Sequence, residues 1–235
     1  MLVHSFESMG ARDGEGIRFI VFLAGCPLRC VYCHNPDTWS VGREYSPEEI
    51  LKKALRYKPY FKNGGGVTFS GGEPLLQSEE IVKTAALFYE KGIGYALDTS
   101  LSVPLTDSVK RAIEGADMII ADLKFPDDEG MRKYAAGTLK HTLNALEFIK
   151  EKGKRLIIRT VVVPGINDSL SALEKYIPIV ERFSPEYYEL LPFHTMGFFK
   201  YLESGIENPL KDTPPLDPSV LDGLKKGLKA NVLIK

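Results

Sequence analysis

An α/β fold of parallel βα units is what the sequence predicts. Short β-branched runs alternate with longer amphipathic segments along most of the 235 residues. Six of the runs can be drawn as strands, and several of the intervening segments open with helix-start signals. With 44% hydrophobic residues the chain can bury one sizeable core, so a single domain over residues 1–235 is expected.

The strands fall at 17–24, 66–70, 94–98, 117–122, 155–163 and 187–191. Helices are expected near 47–60, 78–91, 105–114, 138–152, 171–183 and 217–229, before a last apolar run at 232–234. Ser46-Pro47-Glu48-Glu49 supplies a capping serine, a proline at the first helical position and a glutamate able to close a capping box. Ser78-Glu79-Glu80 is a weaker start of the same kind. Six units are too few for an eight-stranded barrel, which leaves a partial barrel or a doubly wound sheet. Residues 63–66 and 212–215 are the only loose stretches, and neither reads as an interdomain linker.

Composition excludes several classes of partner. Thirty basic residues stand against 31 acidic ones, so no overall field favours nucleic acid or an anionic membrane. No run approaches the roughly 18 apolar residues of a membrane span. Residues 1–7 lack the basic flank and apolar stretch of a signal peptide, so a cytosolic location is expected. In a reducing cytosol, three cysteines within eight positions argue for metal or redox chemistry over disulfides.

The polar residues of interest fall at the carboxyl ends of the strands. Cys26 follows the first, Gly71-Gly72-Glu73 the second, and Asp98 ends the third. Asp122-Leu123-Lys124 ends the fourth, Arg159 lies late in the fifth, and His194 follows the sixth. In parallel βα folds this rim is where active sites are built, because strands fix geometry while loops supply chemistry.

Cys26, Cys30 and Cys33 form a C-x-x-x-C-x-x-C pattern. Three thiolates so spaced can face one metal centre, and a four-iron cubane with three protein ligands keeps one iron open for substrate. Two rival readings stand beside it. Cys30, Cys33 and His34 match a haem-attachment pattern, which leaves Cys26 unexplained, and a Cys3His zinc site would need adjacent Cys33 and His34 both to bind.

With the aromatic Tyr32 before its last cysteine, the motif resembles the signature of the radical S-adenosylmethionine (SAM) superfamily. The resemblance runs through nearly the whole chain. Segments 4–8 (HSFES), 13–19 (DGEGIRF), 30–35 (CVYCHN), 64–68 (GGGVT), 70–73 (SGGE) and 161–165 (VVVPG) are similar to the pyruvate formate-lyase activating enzymes, a family that installs a glycyl radical in a partner enzyme.

The resemblance implies a partial (β/α)6 barrel and one 4Fe-4S cluster on Cys26, Cys30 and Cys33. An electron from flavodoxin or ferredoxin would enter the cluster. Cleavage of SAM would then give methionine and a 5′-deoxyadenosyl radical, which takes an α-hydrogen from a glycine of the partner. Gly71, Gly72 and Glu73 would hold the methionine amino group by backbone and carboxylate. Asp98, Asp122, Leu123 and Lys124 would contact SAM, with Asp98, Thr99 and Asp122 also meeting a monovalent cation. Arg159, Val161 and His194 would lie near the methionine and adenosine, and Tyr32, Cys33 and His34 near the adenine. A monomer is expected.

Each rim residue also has a plainer reading. Gly71-Gly72 suits a tight turn, strand-end carboxylates can cap helices, and isolated lysines or histidines can be merely solvated or satisfied. Two departures from the family pattern stand out: Glu15 occupies a position usually held by proline, and Ser100-Leu101 replaces a usual Asn-Gly. The absence of any further cysteine favours a pyruvate formate-lyase type of partner over activases carrying extra clusters. A single-cluster activase of another glycyl-radical enzyme, or a radical SAM enzyme acting on a small molecule, is the alternative.

Overall fold

The computed structural model describes residues 1–235. Its sheet holds eight strands in the order β3-β1-β2-β4-β5-β6-β7-β8. These are β1 (Leu2–Gly10), β2 (Arg18–Leu23), β3 (Arg43–Glu44), β4 (Gly66–Gly71), β5 (Tyr95–Thr99), β6 (Met118–Asp122), β7 (Arg155–Val162) and β8 (Tyr187–Pro192). β2 and β4 through β8 are parallel, and they are the six strands expected from the sequence. β1 and β3 add antiparallel strands at one edge. β1 escaped the period-two pattern because its pairing with β2 shifts register twice, between Val3 and Ser5 and again between Glu7 and Gly10.

Helices α1 (Pro47–Leu55), α2 (Ser78–Glu90), α3 (Asp107–Gly115), α4 (Asp128–Gly130), α5 (Leu139–Glu151), α6 (Leu170–Leu173) and α7 (Ile177–Phe183) lie between strands, and α8 (Phe198–Glu203) and α9 (Pro218–Gly227) follow β8. The capping box at α1 forms as read: Glu49 N–H donates to Ser46 Oγ, and Ser46 N–H donates to the Glu49 carboxylate. Ser78 does not cap α2. Its hydroxyl donates to Ser108 Oγ instead, and Gln77 stands at the cap position. The helices expected at 47–60 and 171–183 are each interrupted where a proline intervenes. α1 stops at Leu55, with a 3-10 turn at Lys58–Tyr60 around Pro59, and Pro178 lies at the start of α7, separate from α6.

Residue parity sets the two faces of the sheet. Leu97, Ile119, Ala121, Leu156 and Ile158 belong to the main core cluster, which also takes in the buried helix residues. Their neighbours Ala96, Met118, Ile120 and Ile157 form a small separate cluster on the other face. Successive side chains alternate, so Asp98, Asp122 and Arg159 continue that inner face toward the carboxyl ends of β5, β6 and β7.

The sheet is open, with β3 and β8 as its edges. The chain's last residues line β8, where Leu190 N–H donates to Lys235 O and Tyr188 N–H to Leu233 O. The β1–β2 loop reaches from the other side of the molecule to β7. There Arg155 binds the Glu15 carboxylate at 2.7 and 3.0 Å while also pairing with Glu186, and Arg159 donates to Arg12 O.

Hydrogen bonds from Arg155 hold the Glu15 carboxyl below the ordinary glutamate value, outweighing its slight burial. Because the folded value is depressed, the unfolded chain binds the extra proton. The clasp's stabilisation is therefore full above the unfolded value of ~4.3 and is lost as pH falls through the folded one. Both side chains are about half exposed, which limits the effect to about 1 kcal/mol. Urea unfolding of wild type and Glu15→Gln between pH 7 and pH 3 is expected to show a gap of that size at neutral pH that closes in acid.

Candidate functional site

The cysteine loop leaves the carboxyl end of β2 and is held from three sides. Gly25 N–H donates to Thr38 O, and Arg29 and Val31 N–H donate to Ala135 O and Tyr134 O. Gly72 N–H bonds Leu23 O and Glu73 N–H bonds Gly25 O, each at 2.8 Å. From the far side, the Tyr201 hydroxyl of α8 donates to Cys33 O and Lys200 to Asn35 Oδ1. Cys30 is buried and Cys26 and Cys33 are partly so; none is in a disulfide.

Burial pushes the thiols up, Cys26 to about 11 and Cys30 to about 12, with Cys33 shifted the same way. The Lys124 ammonium opposes burial at all three. Nowhere do three His, Cys, Asp or Glu side chains converge on a point fit for one ion. Three thiols on one short loop, with the Lys124 charge acting on all of them, suit a multi-iron cluster in which each sulfur takes a different iron. Its positive irons would reverse the effect of burial on the thiols.

The remaining rim residues surround this loop. Asp98, with Ser70 Oγ donating to it at 2.7 Å, is raised to about 7 by burial and by repulsion from Asp122, against the pull of Arg159. Asp122 pairs with Lys124 at 2.7 Å. Arg159 pairs with Glu189 at 2.6 Å. Val161 shares the parity of Arg159, two residues along β7. The His34 and His194 rings meet edge to face with centroids 4.5 Å apart. Burial and the neighbouring His194 and Lys200 lower His34 to about 4. Nδ1 of His194 is buried without a partner, an orphaned polar atom of the kind a bound molecule would satisfy.

Three side chains sit differently from expectation. Glu73 is wholly buried, and its carboxylate accepts from Leu75 N–H, Thr99 Oγ1, Ser100 N–H and Ser100 Oγ, so it faces the protein rather than the rim. Thr99 turns its hydroxyl to Glu73, which leaves its main chain for any cation. Leu123 is buried; its N–H donates to Arg159 O and its O accepts from Thr160 Oγ1, so it orients Asp122 and Lys124 from behind. Tyr32 is buried, and its hydroxyl has no partner.

Glu189 and Asp13 went unassigned in the sequence. A glutamate inside the apolar strand 187–191 was the available signal for the first. Asp13 is raised by burial and faces Arg159, a placement that depends on the path of the β1–β2 loop.

Leu101 replaces the usual glycine with a φ of +58° and is fully buried. A glycine would relieve backbone strain of about 1–2 kcal/mol but would forfeit a buried leucine worth about 2–5 kcal/mol. Leu101→Gly is therefore expected to destabilise the protein by about 2 kcal/mol, measurable by urea unfolding.

A sequence model of the radical SAM superfamily matches residues 20–176. The chain is 41% identical over 231 residues to the pyruvate formate-lyase-activating enzyme of Clostridium pasteurianum, covering 97% of this chain and 96% of that one. It is 36% identical to the enzyme of the same name from Streptococcus mutans, over 96% of this chain and 89% of that protein. Among solved structures, Streptococcus suis SuiB bound to S-adenosylmethionine superposes with a TM-score of 0.67 at 16% identity, over 92% of this chain. The chain spans about half of SuiB's length. A domain of pyruvate-formate lyase-activating enzyme from Bacteroides vulgatus superposes with a TM-score of 0.54 at 23% identity, over 73% of this chain and 99% of that domain. At these identities both structures speak to the fold alone.

Proposed function

The chain belongs to the radical SAM superfamily and, within it, to the pyruvate formate-lyase-activating enzymes, and on that premise we propose that it generates the glycyl radical of a pyruvate formate-lyase. The observation that carries this reading is the meeting of the cysteine loop with the inner rim. The two are joined by the His34–His194 ring contact, by the bond from Glu73 N–H to Gly25 O, and by the Lys124 ammonium acting on all three thiols.

When bound on Cys26, Cys30 and Cys33, a 4Fe-4S cluster supplies an electron and an open iron for the methionine end of SAM, whose cleavage yields the radical that takes a glycine α-hydrogen. The chain's own residues do the holding. Lys124 and Arg159 offer the cationic side chains of the inner face to the methionine carboxylate, each kept in place by a carboxylate partner, Asp122 and Glu189. Gly71 and Gly72 let the main chain come close to the amino group, with Asp98 across from them on β5. Neutral His34 and the unpartnered Nδ1 of His194 mark the adenosine side, and Tyr32 and Val161 line it. The Arg155–Glu15 clasp at the amino end of β7 and Arg159's bond to Arg12 O further along it draw the β1–β2 loop along the inner face, which helps keep water from the interior.

On this reading residues 1–235 act as one radical SAM domain, working as a monomer in the cytoplasm. A flavodoxin or ferredoxin is the electron donor. A monovalent cation is held by the Asp98 and Asp122 carboxylates and the Thr99 main chain. Reconstituted anaerobically, the protein should carry about four irons per chain. Given SAM, a reductant and a pyruvate formate-lyase, it should then produce a glycyl-radical doublet by electron paramagnetic resonance (EPR). Stoichiometric zinc, or deoxyadenosine formation from SAM without any doublet, would overturn the proposal.

A further inference from the structure

Glu73 lies on the loop between β4 and α2, fully buried, and both halves of the residue are engaged. Its N–H donates to Gly25 O, next to the first cysteine. Its carboxylate takes two donors on each oxygen. Oε1 accepts from Leu75 N–H at 3.0 Å and Thr99 Oγ1 at 2.5 Å, and Oε2 accepts from Ser100 N–H at 2.9 Å and Ser100 Oγ at 2.6 Å. A carboxylate offers about four lone-pair sites. All are used, so none remains for the amino group of a ligand.

The donors are themselves tied down. Thr99 Oγ1 accepts from Leu101 N–H at 2.9 Å, and Thr142 Oγ1 of α5 donates to Ser100 O at 3.1 Å. Ser102 N–H donates to Ser100 Oγ at 3.3 Å, and the Thr99, Ser100, Ser102 and Thr142 side chains are all buried. One knot thus joins the start of the cysteine loop to the end of β5, where Asp98 precedes Thr99 directly.

We propose that Glu73, Thr99 and Ser100 are positioning residues that set SAM affinity without touching SAM, by locking Asp98 and the β5 end to the Gly25–Cys26 turn. The proposal rests on the reading above that SAM binds at this rim. It gives the Ser100-Leu101 departure a use. The Ser100 hydroxyl fills the fourth site on Glu73, and the left-handed backbone at Leu101 turns its N–H back onto Thr99. Small misplacements of binding groups are costly because complementarity depends on fixed geometry.

The test compares anaerobically reconstituted wild type with Ser100→Ala, Thr99→Val, the double variant, Ser100→Thr and Glu73→Gln. Four readouts are taken: the SAM dissociation constant by equilibrium dialysis, iron per chain, melting midpoint, and the change in the reduced-cluster EPR spectrum on adding SAM. Each single hydroxyl deletion is expected to weaken SAM binding several-fold and the double variant by roughly tenfold or more. Iron content should stay near wild type while the melting midpoint falls by several degrees, because each deletion leaves the buried carboxylate short of a donor; the SAM-induced EPR change should broaden, and Ser100→Thr should restore affinity. Glu73→Gln should resemble the double variant. Wild-type affinity in the double variant alongside lost binding in Glu73→Gln would mean that Glu73 meets SAM directly, overturning the proposal. So would weakened binding that appears only with lost iron. A wild-type protein that binds iron but no SAM would instead overturn the rim as the SAM site.

Discussion

Cys26→Ala, Cys30→Ala and Cys33→Ala are each expected to reduce SAM cleavage to background, read as 5′-deoxyadenosine formed under a strong reductant. The three sulfurs leave one loop whose course is set by bonds to Leu2, Thr38, Tyr134 and Ala135, and the chain has no fourth cysteine to substitute for any of them. Burial already disfavours each thiolate on its own, and losing one ligand leaves two sulfurs to hold the whole charge of the irons. Folding should survive the change. A cysteine in this setting packs as a small hydrophobic side chain, and its truncation costs about 1 kcal/mol. A melting midpoint within a few degrees of wild type with no deoxyadenosine is the expected pair of results. Activity retained by any one variant would remove that residue from the ligand set.

Gly72→Ala is expected to lower activity by about a hundredfold or more, the loss that small displacements of reacting groups can cause. The added Cβ would stand 2.1 Å from Gly25 O, 2.7 Å from Gly25 C and 3.2 Å from Cys26 Cβ. Backbone cannot yield as a side-chain tip can, so the cysteine turn and the Gly71–Glu73 loop must part. The Glu73 N–H to Gly25 O bond would then lengthen or break. Gly223→Ala provides the contrast, since its Cβ meets nothing within 4 Å and its position in α9 favours alanine by about 0.5–1 kcal/mol. Iron content and deoxyadenosine yield measured on both variants separate a close approach at the site from a general intolerance of alanine. Normal activity in Gly72→Ala would show that the two loops are not packed as described.

What could be read in the residues alone depended on how local the determinant was. The six parallel strands were legible because each carries an apolar run bounded by turn residues, and the α1 capping box was legible because its partners lie three residues apart. β1 was not, because its bulges disturb the alternation that marks a strand. The breaks at Pro59 and Pro178 were visible as residues but were overridden by the longer apolar pattern around them. At the rim, the carboxyl-end positions of Asp98, Asp122 and Arg159 followed from strand placement, while the direction of Glu73 did not. Its partners, Thr99 and Ser100, lie 26 and 27 residues away.

The sequence by itself determined the strand framework, the cluster-type cysteine spacing and the family, since each is encoded in short-range pattern and residue chemistry. Only the tertiary structure decided which polar groups spend themselves within the protein and which face the rim. Glu73 and the Thr99 hydroxyl are consumed in a buried knot, and the Glu15–Arg155 clasp joins residues 140 apart. Those outcomes depend on where distant donors and acceptors meet after folding, and a buried carboxylate takes whichever donors the fold brings to it.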